Sequence, residues 1–152
     1  FEAAGGFDED FFAYMEDVDL DFRLQLLGYP CWYLPKAVVR HAGSCSTAPR
    51  SDLVIFYGHR NLVWTFIKDM PGWLFWTMLL PHLLVNLLYL LVALFFPFRG
   101  AMVRAKWEAL KGLPTAWKKR QAVQRKRKVS VRTIAGLLEW NPFAPLIKLT
   151  YR

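Results

Sequence analysis

The chain has 152 residues, 55% of them apolar, and a mean hydropathy of +0.17; this is enough for one domain with a real core and is high for a soluble one. Its two cysteines, Cys31 and Cys45, have no metal-ligand spacing and do not amount to a disulfide framework. The net charge of +8 is uneven: residues 1–98 hold 6 Lys/Arg and 10 Asp/Glu, a balance of −4, while residues 99–152 hold 14 and 2, a balance of +12, so the two regions are expected to meet different partners.

The chain opens on Phe1 with no signal-peptide pattern, and we expect a piece of a longer protein. No internal repeat is visible. Residues 1–50 mix acids, aromatics, glycine and proline. Asp17 is placed to cap a short helix running to about Leu27, with Gly28 as its stop. Leu20, Leu24 and Leu27 give that helix a buried face. Cys31–Leu34 and Ala37–Arg40 read as short strands on either side of a Pro35 turn, followed by a small-residue loop, His41–Arg50. Ser51 caps a second helix over Asp52–Asp69, which Pro71-Gly72 ends.

Met70–Phe98 then runs 29 residues without Asp, Glu, Lys or Arg, and about 20 apolar residues suffice to cross a bilayer as a helix. Trp73, Trp76 and Tyr89 add aromatics of the membrane-interface type. Pro81, with His82 and Asn86 behind it, is predicted to break the segment, which favours a re-entrant hairpin or an interfacial helix pair over one straight span. The last part is basic and partly helical, with Lys118-Lys119-Arg120 and Arg125-Lys126-Arg127-Lys128. It closes on the apolar stretch Trp140–Arg152.

Three constellations can carry chemistry. Asp8, Glu9, Asp10, Glu16, Asp17, Asp19 and Asp21 lie among Phe7, Phe11, Phe12 and Tyr14; a carboxylate at a helix start beside aromatic walls can serve as a general base, and equally can answer the helix dipole. The run from Asp17 mimics a calcium loop but fails it, because the sixth and twelfth positions are Phe22 and Gly28. The Asp-x-Asp pairs do not share a helix face. His41, at a predicted strand end, can ligate a divalent ion or simply bond backbone. Arg60, in the middle of the second helix, can clamp a phosphate or lie on the surface with a snorkelling stem.

Taken together, Gly5-Gly6-Phe7-Asp8-Glu9-Asp10-Phe11-Phe12, Tyr14-Met15-Glu16-Asp17-Val18-Asp19-Leu20, Arg23-Leu24, Gly28-Tyr29, Pro35, Ala37-Val38-Val39 and His41 resemble the C-terminal half of a family 2 glycosyltransferase of the rhamnosyltransferase type. Arg60-Asn61 and Lys119-Arg120 to Lys128-Val129-Ser130 are similar as well. The resemblance is good over about residues 1–70 and loose over 71–130. It implies an α/β GT-A fold, a nucleotide-sugar donor and inversion at the anomeric carbon. It makes Asp17 the general base, with Glu16 beside it at the acceptor site. Asp8, Arg60, Phe12 and Tyr14 become candidate substrate-binding residues. His41 completes the site of a divalent metal, Mg or Mn, held mostly by an upstream motif that this chain lacks together with the donor-binding half.

Three regions are therefore expected: residues 1–69 as the acceptor and catalytic-base half, 70–98 as a membrane-associated apolar segment, and 99–152 as a basic helical tail. The donor is cytosolic, which places the protein on the cytoplasmic face of the cell membrane. The tail suits anionic lipid headgroups better than nucleic acid, given the apolar segment beside it. An isoprenoid-linked saccharide fits as acceptor by family analogy. The competing reading is a non-catalytic membrane-anchoring module that binds anionic lipid through the basic tail.

Overall fold

The computed structural model describes residues 1–32, 34–38 and 51–140. Two 3-10 turns, Glu2–Ala4 and Glu9–Phe11, precede six helices: α1 (Glu16–Leu26), α2 (Asp52–Asp69), α3 (Gly72–Ala93), α4 (Arg99–Lys111), α5 (Leu113–Lys126) and α6 (Val131–Leu137). Among the described residues there is no strand, so the expected α/β architecture, and with it the GT-A sheet, is overturned: the described chain is helical. Cys31, Trp32, Leu34, Ala37 and Val38, read as strand residues, are in no strand and are exposed, Trp32 at 80% and Val38 at 83%. A short apolar run becomes a strand by pairing with another and burying a face, and no described segment offers either.

α2 keeps the predicted bounds. The Ser51 hydroxyl accepts from the Val54 N–H at 3.4 Å, and the chain turns extended at Met70. α1 follows the prediction in extent but not in its cap. Its N-cap is Met15, in the left-handed region at φ 69°, and no side chain caps it. Gly28, at φ 90°, supplies the left-handed turn after α1 that a residue with Cβ adopts only under strain. α3 runs unbroken through Pro81, so the predicted hairpin does not form. Proline removes one ladder bond and crowds the turn before it, and the 22-residue helix continues through it nonetheless.

α2 is the central element. α4 and α5 run parallel to it and α3 runs antiparallel. Ala101, Ala105 and Ala109, four apart and buried, present one smooth face of α4 that lets α2 approach closely. The junction at Gly112 continues that contact: a Cβ there would lie 2.3 Å from the Trp64 ring, whose Nε1 donates to the Ala109 carbonyl at 3.1 Å. α5 then closes the end of α2. Arg120 donates to the carbonyls of Ile67 (2.8 Å) and Met70 (2.6 Å), and Gln124 to that of Asp69 (2.9 Å), satisfying C-terminal carbonyls that a helix leaves open. Leu26, Leu74 and Ile134 form a small core joining α1, α3 and α6. The basic region thus packs along α2 over α4 and α5.

Under α3 lies a polar row. Phe66 stacks on His82 with centroids 4.0 Å apart, His59 meets Tyr89, and Lys106 donates to Asn86 and, at 3.4 Å, to the His59 carbonyl. Burial first, and the Lys106 charge second, hold both His59 and His82 at about 4.

Candidate functional site

The acidic segment is built against the other face of α2. Asp8 caps the turn Glu9–Phe11 by accepting from the Asp10 N–H at 3.2 Å, and Phe11 is buried against Trp64. The chain then passes three non-glycine residues in the left-handed region, Phe12 (φ 61°), Tyr14 (φ 64°) and Met15 (φ 69°). Each such residue costs on the order of 1–3 kcal/mol and persists only where surrounding structure imposes it. Here the imposing group is Asn61, fully buried. Its Nδ2 donates to the carbonyls of Phe11 (2.9 Å), Ala13 (2.8 Å) and Tyr14 (2.8 Å). Arg60 completes the clamp: Nη2 donates to the carbonyls of Asp10 (2.7 Å) and Phe11 (3.1 Å), and Nε to Asn61 Oδ1 (2.8 Å). Its guanidinium lies over Trp64 at 4.2 Å and Tyr57 at 4.8 Å.

The strained loop delivers Glu16 and Asp17 to the first turn of α1. Asp17 is exposed and its Oδ1 accepts from the Val18 N–H at 2.8 Å. Glu16 is half-buried, with Oε2 shielded from solvent and facing no donor. Phe12 is 74% exposed and packs on Tyr57 at 5.1 Å, while Tyr14 is half-buried. Asp17 and Asp19 diverge, one at the surface and one fully buried.

Asp19 belongs to an ion network that sequence reasoning missed. It pairs with Arg23 one turn on (2.6 Å) and with Lys68. Lys68 also meets Asp8 at 2.7 Å, and Lys119 of α5 reaches Asp8 and Asp10. Arg23 donates to the carbonyls of Ala4 and, at 2.8 Å, Gly6. Burial alone would raise the Asp8 carboxyl, but bonds from Lys119 and Lys68 outweigh it and hold it at about 2. Asp69 is fully buried and no donor reaches its oxygens; burial, then the charge of Asp19, pushes it well above the usual carboxylate range. The available signals were the i,i+4 spacing of Asp19 and Arg23 and the pair Lys68-Asp69 at a helix end, where solvated charge is the commoner arrangement.

Five of the seven predicted site residues thus flank one loop: Glu16, Asp17, Phe12, Tyr14 and the Arg60 that holds it. Asp8 lies beside them in the ion network, along an open cavity of about 480 Å³ that Gly5, Gly6, Lys68 and Lys119 also line. His41, the predicted metal ligand, lies outside the described residues. Among the described residues no three of His, Cys, Asp and Glu come together as a metal-holding group, and Asp8 and Asp10 are already matched by lysines. The expected metal site, an upstream motif with His41, lies outside the described residues, and no step below is routed through a metal ion.

Over 98 residues the chain is 40% identical to N-acetylglucosaminyl-diphospho-decaprenol L-rhamnosyltransferase from two strains of Mycobacterium tuberculosis. The chain is similar to a glycosyltransferase. The match takes in 57% of this chain and 31% of each relative, so the chain spans about a third of the length of the curated relatives it matches. No family model matches, and no solved structure matches. By length and composition α3 is long and apolar enough to cross a membrane.

Proposed function

We propose that these residues are the acceptor side of an inverting glycosyltransferase that moves a sugar from a nucleotide-sugar donor to a saccharide on an isoprenoid-linked carrier, at the cytoplasmic face of the cell membrane, in cell-wall or polysaccharide synthesis. The observation that carries this reading is the 40% identity to a protein named for such a transfer. The strained, clamped loop supports the placement of the chemistry, because backbone strain of this kind concentrates at functional sites. The donor-binding half lies, on this reading, outside these 152 residues.

Asp17 takes the proton of the acceptor hydroxyl as that oxygen attacks the anomeric carbon. One C–O bond forms, the bond to the donor diphosphate breaks on the opposite face, and the nucleoside diphosphate leaves with the bonding electrons. Glu16, whose shielded Oε2 lacks a donor, is placed to accept a second acceptor hydroxyl. Exposed Phe12 offers a ring for a sugar face. Asn61 and Arg60 position this edge by fixing the loop before it.

In the complete protein Asp17→Asn keeps the shape and removes the base. Transfer should fall about 10²–10⁴-fold while donor binding by calorimetry is kept. Near wild-type turnover would end the assignment. The exposed apolar face of α3 favours, as a second reading, an anchoring module without catalysis; that module predicts no transfer by the complete protein with any nucleotide-sugar.

A further inference from the structure

We infer that α3 lies in the plane of an anionic phospholipid surface, with its outer stripe seated at the boundary of headgroups and acyl chains, and that it does not cross the bilayer. The inference rests on the architecture around α3 and does not need the transferase reading.

α3 is built inside out. Trp76, Leu80, Leu84, Leu87 and Leu91 recur at helical spacing and are all exposed; Leu83, Val85, Leu88, Tyr89 and Val92 are exposed beside them, and exposed Phe95 follows the helix end at 87%. The polar residues of the same segment, His82 and Asn86, face inward to Phe66 and Lys106. Only 6% of its most apolar 18-residue window is buried. A helix in water presents the reverse pattern, and an apolar stripe of this length on a soluble chain would be a liability.

The neighbours of α3 decide between crossing and lying flat. α3 is about 33 Å long at 1.5 Å per residue, long enough to span. Yet α2 touches it through ring contacts, from the Phe66–Phe75 stack at 5.4 Å and the Phe66–His82 stack at 4.0 Å to the His59–Tyr89 contact at 5.2 Å. Lys106 of α4 reaches Asn86 in the same layer. A crossing α3 would carry α2 and α4 with it, taking Lys106, Arg60, Lys68 and Asp69 into hydrocarbon, where ionisable groups are costly and rare. Lying flat keeps those groups on the wet side and buries the outer stripe alone.

Charge and aromatics argue for a bilayer over a second copy of the chain. Trp73 and Trp76 are exposed near the start of α3, with Trp117 close by, 5.8 Å from Phe75. Arg99 and Arg104, both exposed, follow its other end. Indoles and arginines bordering an apolar stripe match a headgroup layer that is part apolar and part anionic.

The test uses the complete protein with Cys31 and Cys45 replaced and single cysteines placed at Leu80, Leu84, Leu91 or Phe95, each labelled with bimane. The protein is bound to vesicles of three parts phosphatidylcholine to one part phosphatidylglycerol that carry spin-labelled lipids. All four labels should be quenched from one shallow depth, about 5–10 Å below the headgroups. Leu84→Lys, Leu87→Lys and Leu91→Lys combined should lower the vesicle-bound fraction about tenfold or more, with an unchanged helical spectrum. A depth that increases from Leu80 to mid-helix and falls again by Phe95 would show a span and overturn the inference. Labels untouched by lipid quenchers, on a protein that elutes as a dimer, would assign the face to a second copy and overturn it equally.

Discussion

On one side of α2, Arg60, Asn61 and Lys68 reach for carbonyls and carboxylates of the N-terminal segment, and almost every donor there is matched. On the other side, Phe66 and His59 pack beneath α3, whose outer surface is leucine. The two regions are stable for opposite reasons. The polar side depends on directional bonds that fix a strained loop, so removing one partner leaves others stranded. The apolar side depends on area, so single changes matter little and several together decide where the protein sits. One helix thereby separates a polar, strained region from an exposed apolar one.

The largest effect on this comparison should come from Asp19. It is fully buried between Arg23 and Lys68, and Asp19→Ala removes the only carboxylate paired with Arg23 among the described residues and leaves Lys68 with Asp8 alone. Breaking a buried pair from one end costs about 3–5 kcal/mol, so we expect loss of cooperative unfolding or a large fall in denaturation midpoint, measured in detergent. A comparable single change on the outer stripe, Leu84→Ala, should stay within about 0.5 kcal/mol. Equal effects at the two positions would erase the contrast.

Asn61→Ala comes next. It removes the donor shared by three carbonyls and frees the left-handed run at Phe12, Tyr14 and Met15. A cost of about 1–3 kcal/mol follows from the stranded carbonyls, partly offset by relief of strain. Transfer by the complete protein should fall through kcat more than KM, because the loop orients the base. Intact kcat would make Asn61 a purely structural residue.

The pH dependence sharpens the polar side. Asp8 is held at about 2 against an ordinary 3.8, so its contribution is full above pH 4 and is lost as pH falls toward 2. Asp69 is shifted the other way. Its neutral form is the one the fold accepts, so its contribution is full below its ordinary value of 3.8 and is lost as pH rises through its raised folded value. Asp69→Asn fixes the neutral form. At pH 8 it should raise Tm by about 2–4 °C, the shift that a 1 kcal/mol gain gives a chain of this size. A lowered Tm would mean that Asp69 is ionised and paired.

What the sequence made legible follows from which forces are local. Ser51 and Pro71-Gly72 bracket α2 because caps and breakers act on adjacent residues. The charge-free run located α3 but not its continuity, since Pro81 is a local break signal and the helix runs through it. The strands around Pro35 were misread because a strand is made by its partner, which local sequence does not supply. Asp17 and Glu16 are proposed from a long pattern of residues along the chain. Lys68, Asp69 and Asn61 were not legible, because their partners lie 47 to 60 residues away or on another helix.

The central claim is that Asp17 does chemistry on one side of α2 while α3 handles the membrane on the other. It is tested most directly by assaying sugar transfer to a short, water-soluble acceptor, with the complete protein in detergent, for Asp17→Asn and for the combined Leu84, Leu87 and Leu91 lysine variant side by side. The account predicts that Asp17→Asn loses about 10²–10⁴-fold in turnover and still binds vesicles, while the lysine variant keeps turnover and no longer binds them. Wild-type turnover in Asp17→Asn, or loss of turnover on the soluble acceptor in the lysine variant, would contradict it.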